Sequence, residues 1–188
     1  MHPAPRRPAR GLPFDPVASA RDIWISNGWR QAATGMAAIT SIMRAHQLFL
    51  ARANDTLRPF DLTYSRYEVL AWLVWQSDDG SLSLKDLSEF LQVTPATITK
   101  AIDRLEGARL VRRVPHPHDA RTTLARITAR GRRVVGQATD ALNRDVFEAV
   151  SLSDEEMHDL FRLLLKVRVD AGDFVELLDD DIPSVGAR

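Results

Sequence analysis

Residues 83–128 constrain this chain more than any other stretch, because they read as two short capped helices followed by two short strands around a proline-stiffened loop. In SLKDLSEFLQ, Ser83 stands as an N-cap with Asp86 three residues on, and Leu84, Leu87 and Leu91 recur at helical spacing. After Val93, Thr94 offers a second cap, and Pro95 takes the first helical position, where a missing N–H costs nothing. Ile98, Ala101, Ile102 and Leu105 form the buried side of this second helix, which leaves Ala96, Thr97, Lys100, Asp103 and Arg104 outward or along its rims. Val111 and Val114 begin one strand and Thr123, Ala125 and Ile127 alternate along another, while Pro115 and Pro117 forbid helix between them. This order predicts a mostly α fold class built on a winged helix-turn-helix, a unit that reads duplex DNA, with a stiff hairpin carrying Arg121 near its tip.

Charge points the same way. Residues 94–133 hold ten cations against three anions, a net +7, in a chain whose formal charge is zero overall. Cations gathered on one module suit phosphate neutralisation by counterion release. From Asp140 onward the balance reverses, thirteen anions against five cations, and such a surface is expected to face away from the duplex.

The run TPATITKAIDRLEGARLVRRVPHPHDARTTLARITARGR resembles the recognition helix and wing of the multiple antibiotic resistance regulator (MarR) family. Its DRLE turn is Asp103, Arg104, Leu105 and Glu106, and its Asp-x-Arg wing motif is Asp119, Ala120 and Arg121. The resemblance extends over residues 17–178. It implies a homodimeric transcription factor, usually a repressor, whose DNA affinity falls when a small, often aromatic or phenolic, molecule binds between the dimerisation helices and the winged domain. On this pattern Thr94, Pro95, Ala96, Thr97, Lys100, Arg104, Arg113, Asp119 and Arg121 are the expected DNA-binding residues. Arg109 stands where the family commonly has glycine, so either the recognition helix ends early at Gly107 or Arg109 carries a left-handed conformation.

The expected organisation is a disordered basic arm over residues 1–16, N-terminal dimerisation helices over 17–62, and the winged helix-turn-helix DNA-binding domain over 63–133. C-terminal dimerisation helices over 134–178 and an acidic tail over 179–188 follow. Met36, Ile39, Met43, His46, Leu50, Ala53 and Leu57 recur every three or four residues, so one long helix presents an apolar seam until Pro59 ends it. Ser153 and Glu156 form a capping box that opens a helix carrying Met157, Leu160, Leu164 and Val167. Both helices are more apolar than one winged domain can cover, which argues for a homodimer reading a pseudo-palindrome. The chain has no cysteine, no apolar signal segment and no stretch approaching a membrane span, which suits a cytoplasmic protein with no cofactor and no membrane partner.

An effector site is expected outside the DNA module. Glu68, Trp72 and Trp75 share one face of a helix that starts near Thr63 and is apolar on nearly all sides, and a carboxylate there needs a partner. Structural pairing of Glu68 with a neighbouring cation and an aromatic pocket with a charged anchor both account for this pattern. His46 on the apolar seam is open to the same two readings.

The segment DIWISNGWRQAATGMAAITSIMRAHQ is similar to the urate-responsive, PecS-like branch of the family. That likeness implies a ligand site at Trp24 or Trp29, Glu68, Lys100 and Arg112 or Arg113, to which the apolar seam adds His46 and the helical face of Glu68 adds Trp72. Two of those positions depart from the branch, because Glu68 is longer than its Asp and Lys100 lacks the planar fork of its Arg. A small aromatic effector, anionic or else neutral or cationic, is therefore expected in place of urate itself. An enzyme reading from His116, His118 and Asp119 is weak, since three ligands in four residues of a proline-stiffened loop do not converge on one metal ion. An effector-independent architectural DNA-binding protein is the alternative.

Overall fold

The computed structural model describes residues 11–119 and 122–174. Most of the expected basic arm, Ala120 and Arg121 of the wing, and the acidic tail lie outside the described residues. The elements run α1 (Pro16–Ser26), α2 (Arg30–Leu57), a 3-10 turn (Arg58–Phe60), α3 (Tyr64–Trp75), β1 (Ser81–Ser83), α4 (Leu84–Phe90) and α5 (Pro95–Gly107). They continue as β2 (Val111–Pro115), β3 (Thr123–Ile127), α6 (Ala129–Leu142), a π-helical turn (Asn143–Phe147) and α7 (Asp154–Asp170). Two compact units divide the chain at residues 148 and 149.

Helix starts follow the caps. Ser83 Oγ accepts from the Asp86 N–H at 3.0 Å and opens α4. Thr94 Oγ1 accepts from the Thr97 N–H at 3.3 Å, with Pro95 next in chain, and opens α5. Thr128 does the same for α6, accepting from the Gly131 N–H at 3.0 Å. Each such cap contributes about 1 kcal/mol. Helix α2 ends at Leu57, two residues before Pro59, whose ring cannot continue an α-helix and which lies in the 3-10 turn.

In the second unit, described by itself, Ser153 and Glu156 of α7 form the reciprocal capping box, with Glu156 accepting from the Ser153 N–H at 2.8 Å. Met157, Leu160, Phe161 and Leu163 are exposed along that helix.

The wing is one part of a three-stranded antiparallel sheet ordered β1-β3-β2. Val111 pairs Ile127, so the hairpin has its two strands. Pro115, expected in the loop between them, is instead the last residue of β2 and stands opposite Thr123, a strand end where its missing N–H is tolerated. The third strand, β1, is an addition. It sets Ser81 opposite Arg126, whose guanidinium bonds Ser81 Oγ at 2.6 Å and Asp79 at 2.7 Å.

Leu57, Leu70, Leu87, Ile102, Leu105 and Val135 bury their side chains almost completely in one core, and each burial stabilises by about 1.5–3 kcal/mol. Gly131 allows α6 to meet that core. A Cβ there would stand 2.2 Å from the Leu110 carbonyl oxygen.

Both readings of Arg109 hold together. Helix α5 ends at Gly107, and Arg109 takes a left-handed φ of 59°. The Leu110 N–H donates to the Leu105 carbonyl at 2.9 Å and the Arg109 N–H to the Glu106 carbonyl at 2.8 Å, which is a Schellman closure with Leu105 and Leu110 buried against the core. A side chain at that φ carries a steric penalty that glycine avoids. Arg109→Gly should therefore raise unfolding stability by roughly 0.5–1 kcal/mol, read from urea denaturation. A loss of stability would show that the Arg109 side chain contributes more than its backbone costs.

Candidate nucleic-acid interface and adjoining cavity

The outward face of α5 is built by its cap. Thr94 and Thr97 hydroxyls bond each other at 2.9 Å, so the first turn is closed and Pro95 and Ala96 stand exposed beside them. Thr97, Lys100 and Arg104 then follow at spacings of three and four along one exposed stripe, opposite buried Ile98, Ile102 and Leu105. Among the described residues neither Lys100 nor Arg104 makes an ion pair, which leaves both charges available to phosphates.

Asp119 shapes the wing. Its carboxylate accepts from the Thr122 hydroxyl at 2.7 Å and its carbonyl from the Thr122 N–H at 3.0 Å, closing the turn that leads to β3. Arg121, expected at the wing tip, lies outside the described residues.

Arg113 is engaged within the protein. From β2 its guanidinium reaches back to α5, bonding Asp103 Oδ1 at 2.7 Å and the carboxylate of Glu106, while its N–H donates to Glu106 Oε1 at 3.0 Å. The hydrogen bond to Asp103 is the main cause that pushes the guanidinium pKa further above its ordinary value, against desolvation and with Glu106 adding to it. Arg112, next along the strand, is exposed and makes no ion pair among the described residues.

The seven expected effector residues are distributed over separate places. Trp24 and Trp29 meet edge to face, ring centroids 5.4 Å apart, and line a hollow of about 880 Å³ at the turn between α1 and α2. Trp72 stacks on Phe90 of α4 at 4.8 Å. His46 and Glu68 line a larger cavity of about 900 Å³ between α2, α3 and the π-helical turn, walled by Phe49, Leu50, Tyr64 and Phe147. Glu68 also borders a groove of about 250 Å³ between α3 and α5, which it shares with Lys100.

The partner expected for Glu68 is not found. Among the described residues no ion pair reaches its carboxylate, and burial pushes its pKa up. Burial raises the Tyr64 hydroxyl as well, with the Glu68 charge adding to it.

Known proteins share this fold. A family model described as MarR family matches residues 62–123. Sco5413, a MarR family transcriptional regulator from Streptomyces coelicolor, is 41% identical, with a TM-score of 0.68 and a match that covers 76% of this chain and 99% of that one. This chain belongs to the MarR family. A mutant of the Escherichia coli regulator MarR, solved with operator DNA, is 26% identical over 68% of this chain and 91% of its own, with a TM-score of 0.63. The regulator BilQ of Clostridioides difficile is 28% identical over 64% of this chain and 80% of its own.

The chain is thus a MarR-family DNA-binding transcriptional regulator, and its relatives are regulators rather than enzymes. Among the described residues no group of metal-ligating side chains converges and no helix is long and apolar enough to cross a membrane.

Tyr64, Phe49 and Phe147 are cavity residues that the sequence did not single out. Tyr64 sits directly after the Thr63 cap and Phe49 beside Leu50 of the apolar seam, three residues from His46, whereas Phe147 reaches the wall through the π-helical turn, which left no periodic signature.

The two neighbouring arginines of this MarR-family wing should separate cleanly. Arg113→Ala should cost about 1 kcal/mol of stability, since its pair is partly exposed, and Arg112→Ala should cost less than about 0.5 kcal/mol. Arg112→Ala should instead lower the slope of log affinity against log salt on duplex DNA by about one. Equal melting of the two variants would show that the Arg113 clip carries no stability.

Proposed function

We propose that this regulator is a cytoplasmic homodimeric repressor that binds a pseudo-palindromic operator and is released by a small aromatic effector. The capped α5 with its open stripe of Thr97, Lys100 and Arg104 carries the reading. Thr94, Pro95, Ala96 and Thr97 at its start suit phosphates and base edges, Lys100 and Arg104 add charge along the groove, and Arg121 of the wing enters the minor groove. Asp119 and Arg113 serve the same interface by holding the wing turn and by tying the wing to the helix.

The dimer is assigned to the helices within residues 17–57 and 153–178. Ile39, Met43 and Leu48 on α2 and Leu160, Phe161 and Leu163 on α7 are exposed apolar side chains that a second copy would cover. Two recognition helices then stand about 34 Å apart, one turn of the duplex. E. coli MarR, solved with operator DNA, supports the same use of the fold.

For the effector, α1 with its paired Trp24 and Trp29 supports the likeness to the urate-responsive branch. The cavity holding His46 and Glu68 is the stronger candidate site, because it combines aromatic walls with a half-buried acid beside α3. Lys100 and Arg113, the cations that would hold an anionic ligand, do not line that cavity.

A footprint on the DNA flanking its own gene, repeated against a panel of aromatic compounds, tests the whole reading. One discrete, two-fold footprint lost on adding a compound is the expected result. Binding that grows with DNA length and ignores every compound would favour the architectural alternative.

Lys100→Ala should reduce the salt slope of operator binding by about one with no change in fold. Leu164→Asp places a charge in the proposed apolar seam, an expensive step without a partner. Sedimentation should then show monomer and operator affinity should collapse, and a folded monomer that still binds the operator would sink the dimer.

A further inference from the structure

The cavity between α2, α3 and the π-helical turn presents a half-buried acid, Glu68, that no cation among the described residues pairs with. Among the described residues, the charged groups that line this cavity and the adjoining groove with Glu68 are His46, Arg58, Asp61, Arg66, Lys100 and Arg104. From α2 and its following turn come His46 and Arg58, and the Arg58 guanidinium is bonded to Asp55. Asp61, also on the cavity wall, adds a second negative charge. On α3 itself Arg66 turns its Nε onto Thr63 Oγ1 at 3.2 Å. From α5, Lys100 and Arg104 border the smaller groove on the other side, yet among the described residues no ion pair joins either to Glu68.

We propose that this cavity takes an organic cation, an aralkyl ammonium whose N–H groups donate to the Glu68 carboxylate while its ring lies among Phe49, Tyr64 and Phe147. The proposal rests on the cavity being the effector site and names the charge class of its ligand. A carboxylate withdrawn from water without a partner is costly, and an incoming ammonium removes that cost, whereas an incoming carboxylate adds a second charge to it. The walls suit the same ligand, since aromatic faces attract a cation and still accept the flat part of its skeleton. Burial, which raises the Glu68 pKa, also supplies a signature. The ammonium pairs with the ionised carboxylate, so its affinity relative to a neutral isostere rises as pH rises through that raised pKa, and binding releases a proton.

Three naphthalene probes of one shape test this on the full chain by calorimetry, naphthylmethylamine, naphthylmethanol and naphthoate, with operator release followed in parallel. The amine should bind about tenfold or more tighter than the alcohol, the gain of one charge-assisted hydrogen bond, and naphthoate should bind weakest. Glu68→Gln should erase the amine's advantage, leave the alcohol within about twofold, and still bind operator without probe. If naphthoate binds tightest and releases the operator, the cation is overturned and the effector cavity stands. If none of the three binds or releases operator, both readings fall. Should Glu68→Gln not fold, the amine-to-alcohol affinity ratio is followed against pH in His46→Gln protein, whose cavity holds no imidazole. A rising ratio supports the counter-ion and a flat one overturns it.

Discussion

The junction between α5 and β2 is closed twice, which ties the wing to the helix. The backbone closes it first, through the Schellman turn in which Leu110 and Arg109 return their N–H groups to Leu105 and Glu106. Side chains close it again, because Arg113 reaches back from the strand to Asp103 and Glu106 on the helix. Each interaction is modest, and a partly exposed ion pair contributes about 1 kcal/mol or less. Their effect is geometric, since phosphate and base contacts require helix and wing to meet the duplex in one register. The left-handed Arg109 shows the strain the turn tolerates to keep that geometry.

Helix α3 links this junction to the rest of the first unit. One side borders the larger cavity through Tyr64 and Glu68, and another borders α5 across the groove shared with Lys100. Tyr67 fastens it to α6, its hydroxyl 3.1 Å from Thr139, which already donates to the Val135 carbonyl. A ligand in the cavity would therefore act on the helix that positions the reading helix. Any such coupling is reciprocal, so operator must weaken the ligand by the factor that the ligand weakens operator.

Much of the fold was legible because its signals are short-range. Ser83, Thr94 and Ser153 each announce a helix within four residues, and the alternation of residues 123–127 announces a strand. Strand β1 escaped notice because three residues carry no period, and because its partner β3 lies more than forty positions away. The π-helical turn escaped for a related reason, since one widened turn leaves the apolar spacing of its neighbours intact. At the candidate sites the residue types were readable and their groupings were not. Trp72 answers to Phe90, Arg113 to Asp103 and Glu106, and Glu68 to no cation among the described residues.

By itself the sequence determined the order of elements, their caps, the exposed cationic stripe of α5 and the family to which they point. These depend on local backbone chemistry and on periodicity, which neighbours along the chain decide. Tertiary structure alone decided which side chains are partners. Arg112 and Arg113 are chemically identical and adjacent, yet one is exposed and the other is held by two carboxylates, because alternate residues of a strand point to opposite faces and only one face meets α5. The same holds for Glu68, which the packing of α2, α3 and α5 leaves without an ion pair among the described residues, a distance relation that no local pattern records.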